Sequence, residues 1–110
     1  MDEIMERNKC PVEILFKLIG QRWSAYILWV LQSQGSHRFG ELKRKVSGIS
    51  QKILTEKLRE LETAKLINRD YQPTIPPTVI YSVTPQSEKL GVILKQLSEL
   101  AYEWREQGIL

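Results

Sequence analysis

Residues 39–64 of the chain, FGELKRKVSGISQKILTEKLRELETA, decide the fold. Apolar residues recur at helical spacing from Phe39 to Val46, and the Ser47-Gly48 pair then interrupts the helix. Ser50 is suited to cap a second helix that extends to about Ala64. Because a helix, a short turn containing glycine and a second helix make up a helix-turn-helix, this stretch predicts that motif.

The second helix of the motif has two different faces. Leu54, Leu58 and Leu61 form an apolar stripe, and the outer face carries long donors and hydroxyls of the kind that read base edges in the major groove. The predicted base-reading residues are Ser50, Gln51, Lys52, Thr55 and Arg59. Arg59 could pair with guanine, and Gln51 could read adenine. On an isolated helix such a face is more often simply solvated, so its surroundings must decide.

Those surroundings favour DNA. Basic residues immediately precede the second helix, where the first helix of the motif would cross the phosphate backbone. The predicted phosphate contacts, which include one position in the following strand and one in the tip after it, are Arg38, Lys43, Arg44, Lys45, Arg69 and Thr78. The net charge of the chain is only +3, so the position of the cations, rather than their total, points to double-stranded DNA.

An arm, two helices and a short strand are predicted before the motif. Residues 1–9 are polar and charged, and we expect them to order only against a partner. One helix is predicted from Pro11 to a stop at Gly20, and another ends at Gly35. Residues 37–39 are long enough only for a bridging strand. The predicted buried stripe of the second helix is Trp23, Ile27, Leu28 and Leu31.

After the motif, two strands are predicted at residues 66–72 and 79–83, on either side of a proline-rich tip at residues 73–78. Thr84 and Pro85 predict the start of a long last helix, with Thr84 as its cap. Helix, turn, helix, strand, tip and strand is the order of a winged domain. The predicted fold class is α+β, mainly α: a winged helix-turn-helix with a two-stranded wing and a long C-terminal dimerisation helix.

The last helix, residues 85–107, carries a sustained apolar seam at intervals of three and four residues. The seam consists of Leu90, Ile93, Leu94, Leu97, Leu100, Ala101 and Trp104. We expect it to meet the same helix of a second copy in a two-fold homodimer, whose two recognition helices would read a pseudo-palindromic site. The alternative is that the seam packs back on its own domain.

Length and composition suit one folded domain. The chain has 110 residues, of which 42% are hydrophobic and 26% charged, and we place the domain at residues 10–110. Asp2, Glu3 and Glu6 follow the first methionine, so no secretory signal is predicted. The longest apolar run, residues 25–31, is too short to span a bilayer. We therefore expect a cytoplasmic protein with no membrane partner.

Cys10 and His37 are the only cysteine and the only histidine. They do not suffice for a conventional metal site, and the chain has no phosphate loop or nucleophile motif, so we expect no enzyme, no cofactor and no metal. We expect His37 to be a structural or surface residue. Cys10 precedes Pro11 at a predicted helix N-terminus with cations nearby, which favours the thiolate and suggests a redox or electrophile sensor. The alternative is a small residue filling a packed corner.

Several stretches, taken in their order and spacing between residues 10 and 105, resemble the HxlR-type transcription regulators. They are Cys10-Pro11, Gly20-Gln21-Arg22-Trp23, Arg38-Phe39-Gly40-Glu41-Leu42, residues 49–55, residues 58–62, Pro76-Pro77 and residues 81–84. The resemblance implies a winged helix-turn-helix protein that dimerises and controls transcription from nearby promoters, with the helix from Ser50 as the recognition helix. Some members of that family sense oxidants or electrophiles through a cysteine at the place of Cys10. Thr78 stands where members usually carry a basic residue, so residues 72–78 contain no cation.

The function predicted from these features is sequence-specific DNA binding by a transcription regulator. Repression is the default expectation, because occluding a promoter needs only binding. The alternative is a winged-helix protein-interaction module without DNA binding. Lys52, Thr55 and Arg59 favour DNA, because a protein-binding helix would more often present aromatic or aliphatic anchors there. The sequence identifies no small-molecule effector.

Overall fold

The structure is a computed structural model that describes residues 10–110, so the arm predicted at residues 1–9 lies outside it. Five α-helices and three strands are found in the described part of the chain. The helices are α1 (Pro11–Ile19), α2 (Ser24–Gln34), α3 (Phe39–Lys45), α4 (Gln51–Thr63) and α5 (Glu88–Glu106); the strands are β1 (His37–Arg38), β2 (Ile67–Gln72) and β3 (Thr78–Val83). This order confirms the predicted fold class.

The helix-turn-helix is formed by α3 and α4. The turn between them needs Gly48, which has a φ of +86°, a backbone conformation that favours glycine. Leu54 and Leu61 are fully buried, and Leu58 is 2% exposed, so the apolar stripe of α4 faces the core as predicted. The helix α2 lies at the centre of the fold, where it contacts α1, α3, α5 and β3.

The three strands form one antiparallel sheet in the order β1-β3-β2. Tyr81 on β3 is the register partner of His37 on one side and of Arg69 on the other. Directly opposed side chains lie on the same face of a sheet, so these three share a face. His37 and Tyr81 are buried on it, whereas Arg69, on the edge strand, is exposed.

The predicted capping of the last helix by Thr84 is wrong. The Thr84 hydroxyl donates instead to the Lys65 carbonyl, at 2.7 Å, and residues Pro85–Ser87 form a 3-10 turn before α5 begins at Glu88. Ser87 is buried, and its hydroxyl donates to the Leu66 carbonyl at 2.9 Å. These two hydrogen bonds connect the segment before α5 to the residues that follow α4.

The helix α5 is divided between the core and the outside. Leu94 is 8% exposed and Leu90 is half-buried, so both pack within their own domain. At Gly91 the helix comes so close to Gln32 of α2 that a Cβ atom would meet the Gln32 side chain. The rest of the predicted seam, consisting of Ile93, Leu97, Leu100, Ala101 and Trp104, is exposed.

Candidate nucleic-acid interface

The N-terminus of α4 is held by Ser50. Its hydroxyl oxygen accepts a hydrogen bond from the Ile53 backbone N–H at 3.1 Å, which satisfies one of the amides that a helix leaves without an intrahelical partner. Ser50 therefore positions the first turn, where Gln51 and Lys52 are both exposed. One side of the first turn is thus exposed, as reading of the major groove would require.

The other two predicted base-reading residues lie further along α4. Thr55 is half-buried, and its hydroxyl donates to the Gln51 carbonyl at 2.8 Å. Arg59 is exposed on the third turn. Within residues 10–110 the side chains of Gln51, Lys52 and Arg59 make no hydrogen bond or ion pair. Their donors are thus free for an external ligand.

Four cations belong to α3 and the residue before it. Arg38 is exposed at the N-cap, where its backbone N–H donates to the Glu41 carboxylate at 2.8 Å. That hydrogen bond, together with the nearby positive charge of Arg38, lowers the pKa of Glu41. Lys43, Arg44 and Lys45 occupy the last turn of α3, where positive charge also stabilises the helix dipole.

Lys45 differs from its neighbours, because its amine is occupied. The Lys45 Nζ lies 2.7 Å from His37 Nε2, and His37 Nδ1 lies 2.6 Å from the Gly35 carbonyl oxygen. Because ammonium only donates, Nε2 is the acceptor and Nδ1 carries the proton that reaches Gly35. His37 is 3% exposed and is therefore a structural histidine, as expected from the sequence.

The wing is formed by β2, β3 and the tip between them. Arg69 is exposed on β2, whereas Thr78 is half-buried at the first position of β3. The Thr78 hydroxyl lies 3.1 Å from that of Thr74, which donates to the Pro76 carbonyl at 2.8 Å. These hydrogen bonds stabilise the conformation of the tip from within. Tyr71 and Ile75 are the exposed apolar residues of the wing, and sequence reasoning gave them no role.

Sequence reasoning missed two further features. Lys57 of α4 donates to the side chain of Gln21, between α1 and α2, and pairs with Glu60 at 3.4 Å. No local pattern indicates a contact between residues 36 positions apart. The second feature is a cleft of about 420 Å³ beside α4 that is lined by both Arg59 and Arg69. The alternation of side chains along β2 could have placed Arg69 on that side of the sheet.

A second surface is apolar. Ile93, Leu97, Leu100 and Trp104 are spaced along one face of α5 and are between 37% and 55% exposed. The helix α1 also presents apolar side chains and buries no residue fully. Exposed side chains of α1 include Val12, Leu15 and Phe16. Contiguous exposed apolar side chains of this kind are typical of interaction surfaces.

Cys10 is the N-cap residue of α1, and its thiol is exposed and free of any disulfide. Its side chain makes no capping hydrogen bond. The predicted cations near it in the sequence, Arg7 and Lys9, lie outside the described residues. Among residues 10–110 no group of three or more histidine, cysteine or carboxylate side chains is arranged to hold a metal ion. None of the described helices is long and apolar enough to cross a membrane.

A helix-turn-helix whose second helix presents free donors, followed directly by a β-hairpin, defines a winged helix-turn-helix protein. The model of the HxlR-like helix-turn-helix family matches residues 18–109. The chain belongs to this family, as its motifs suggested.

Three relatives agree with that assignment. MalR of Fusobacterium mortiferum is 38% identical over 106 residues, which cover 96% of each chain. The HTH-type transcriptional regulator YodB of Bacillus subtilis is 35% identical over 105 residues, covering 94% of this chain and 93% of YodB. The redox regulator HypR in its reduced form has a similar structure, with a TM-score of 0.79 and 35% identity over 87% of this chain and 94% of HypR. The protein is thus a transcription regulator, and the names of its relatives confirm that it is not an enzyme.

Proposed function

We propose that the protein is a homodimeric repressor that binds a pseudo-palindromic operator through α4. The observation that carries this proposal is the first turn of α4, where Gln51 and Lys52 are exposed and unpaired on a helix whose opposite face is buried. Bidentate or charged donors at these positions suit the acceptor edges of purines in the major groove. Thr55 adds a methyl group and a hydroxyl one turn later.

The cations of α3 supply contacts to the DNA backbone in this proposal. Arg38, Lys43 and Arg44 are exposed, and none of them forms an ion pair within residues 10–110. Lys45 contributes less, because its amine already contacts His37. At the wing, Thr78 is a neutral contact at most, because its hydroxyl is shared with Thr74. Backbone contacts of this kind set affinity and register but not sequence preference.

The homodimer is proposed because no part of residues 10–110 covers the apolar face of α5. Ile93, Leu97, Leu100 and Trp104 lie three and four residues apart, so a two-fold partner can bury all four against the same side chains of its own helix. The exposed side chains of α1 extend this surface. Leu94 and Leu90 pack in the core of their own domain and so hold α5 against it. A dimer also connects two weak DNA-binding modules into one stronger one.

The test is binding of the purified protein to DNA from upstream of its own and neighbouring genes. We expect selective binding to at least one fragment, with an affinity that falls steeply as salt rises. Lys52→Ala should weaken operator binding by about tenfold and reduce the preference for operator over unrelated DNA, because a base contact is lost. The matched control is Lys95→Ala, which removes the same charge on α5 beside Trp29 and should bind like the wild type.

A protein that binds no fragment, whether reduced or oxidised, would contradict DNA binding and favour the protein-interaction module. A Lys52→Ala protein that keeps its full preference for operator would contradict reading by the first turn of α4. Both measurements require a folded variant, which circular dichroism checks. Lys52 is exposed and its side chain makes no hydrogen bond or ion pair within residues 10–110, so we expect its replacement to leave the fold intact.

We further propose that oxidation of Cys10 changes operator affinity. Its thiol is exposed at the start of α1, next to the apolar surface proposed for the dimer. The relative HypR is a redox regulator with both oxidised and reduced structures. Hydrogen peroxide would transfer one oxygen atom to the sulfur, which gives a sulfenic acid and water. A polar group at this place would alter how α1 packs against a partner.

The expected result is that peroxide changes the operator affinity of the wild type severalfold, and that dithiothreitol reverses the change. Cys10→Ser should bind like the reduced wild type and should not respond to peroxide. Mass spectrometry establishes how much of the thiol is modified. Full modification of Cys10 with unchanged operator affinity would remove the proposal.

A further inference from the structure

Two arginines from different elements line one cleft beside the recognition helix. Arg59 belongs to α4 and Arg69 to β2, and these two elements pack against each other. The cleft, of about 420 Å³, has Phe39 and Tyr81 among its other lining residues. Arg69 is the register partner of the buried Tyr81, so it lies on the sheet face that packs on the helices. Because β2 is an edge strand, the Arg69 side chain is nevertheless exposed beside α4.

Neither guanidinium has a partner in the part of the chain that the structure describes. Among residues 10–110 neither Arg59 nor Arg69 forms an ion pair or a side-chain hydrogen bond. The hydroxyl of Thr55, which also lines the cleft, already donates to the Gln51 carbonyl. Glu62 contributes a carboxylate to the same cleft without pairing to either arginine. Two free guanidinium groups in one concave site are the usual arrangement for holding a phosphate oxyanion.

The position of Arg59 along α4 also argues against a contact with base edges. It lies nine residues after the N-cap, about 13 Å along the helix axis. Recognition helices contact base edges mainly with their N-terminal residues, whereas backbone phosphates line the groove on both sides. Arg59 is therefore far from the first turn and lines a cleft together with a residue of the wing. Both features place its side chain at the edge of the groove.

We propose that Arg59 and Arg69 together clamp one backbone phosphate of the DNA, between the recognition helix and the base of the wing. This inference rests on the proposed DNA binding and assigns Arg59 to affinity rather than to base selection. The clamp supplies positive charge from the wing although the tip, residues 72–78, has none. Glu62 limits its strength by repelling the same phosphate.

The test compares Arg59→Ala, Arg69→Ala and the double variant on operator and on unrelated duplex across a range of salt. Each single substitution should weaken binding to both DNAs by a similar factor of about ten, which leaves the ratio of the two affinities unchanged. The dependence of log affinity on log salt should become shallower by about one unit or less. Because both groups bind one phosphate, the double variant should lose less than the product of the two single losses.

Two controls sharpen the result. Glu62→Gln removes the repelling carboxylate and should strengthen binding to both DNAs, the opposite sign to the arginine variants. Lys95→Ala removes one charge on α5 beside Trp29, a residue that does not line the cleft, and should change neither the affinity nor the salt dependence. All variants alter exposed side chains, and circular dichroism confirms that they remain folded.

Operators with a single neutral methylphosphonate identify the phosphate itself. At one position in each half-site, neutralisation should weaken binding of the wild type most, of Arg59→Ala and Arg69→Ala less, and of the double variant not at all. A wild type that binds no DNA would overturn the proposed function. A wild type that binds while Arg59→Ala changes base preference, or while Arg69→Ala binds normally, would overturn the phosphate clamp alone.

Discussion

Leu54→Ala is expected to lower the free energy of unfolding by about 3–5 kcal/mol, measured by urea denaturation followed by circular dichroism. Leu54 is fully buried on the apolar stripe of α4, among the residues of the hydrophobic core. Its removal loses the burial of three carbons and leaves a cavity that a close-packed core fills only in part. Since small domains are stable by about 5–15 kcal/mol, this is a large share of the total.

The control for that substitution is Glu56→Ala in the same helix. Glu56 is exposed, and within residues 10–110 it forms no ion pair, so its replacement should change the free energy of unfolding by less than about 0.5 kcal/mol. An equal loss of stability in both variants would mean that the apolar face of α4 contributes no more to the free energy of unfolding than its exposed face does. That outcome would contradict the assignment of its two faces.

The order and the ends of most elements could be predicted because glycine and proline mark them. Pro11 begins α1 and Gly20 ends it, while Gly35 and Gly48 follow α2 and α3 with positive φ values. Local backbone sterics determine these positions, so sequence alone suffices. The buried stripe of α4 was also predicted, since helical periodicity determines which residues share a face.

The junction before α5 could not be predicted, because its contacts join distant parts of the chain. Thr84 has the composition and spacing of a helix cap, yet its hydroxyl bonds to the Lys65 carbonyl. Lys65 itself adopts a φ of +62° after α4, a conformation for which the sequence offers no glycine. A prediction from the local sequence pattern pairs the hydroxyl with the nearest free backbone amide. It does not anticipate a competing carbonyl 19 residues away.

Periodicity likewise predicted the apolar residues of α5 but not what covers them. Residues three positions apart on a helix differ by about 60° in direction, so the members of the seam do not all face the same way. Leu94 therefore faces the core, whereas Leu97 is 55% exposed. At the candidate DNA interface most of the predicted residues are exposed, although Thr55 and Thr78 are half-buried, and their contacts to DNA stay a prediction. The shared cleft of Arg59 and Arg69 was not predicted, because it depends on strand register.

Leu97→Glu is expected to convert the proposed dimer to a monomer and to weaken operator binding by a factor of about 10²–10⁴. A carboxylate at the centre of the apolar face of α5 would have to be buried against its symmetry mate without a counter-charge, which is strongly unfavourable. Leu97 is exposed in the single chain, so the winged domain should remain folded. Light scattering after size exclusion gives the mass, and titration with operator DNA gives the affinity.

The behaviour of the monomer distinguishes dimerisation through α5 from DNA binding through α4. A folded Leu97→Glu monomer keeps the first turn of α4, so it should still bind a single half-site weakly, with a shallower salt dependence because fewer phosphates are contacted. Lys95→Ala, which changes the net charge by the same amount on the side of α5 that faces Trp29, should remain dimeric. A Leu97→Glu protein that stays dimeric would mean that another surface joins the two copies. In that case the exposed apolar face of α5 would be available to a different partner.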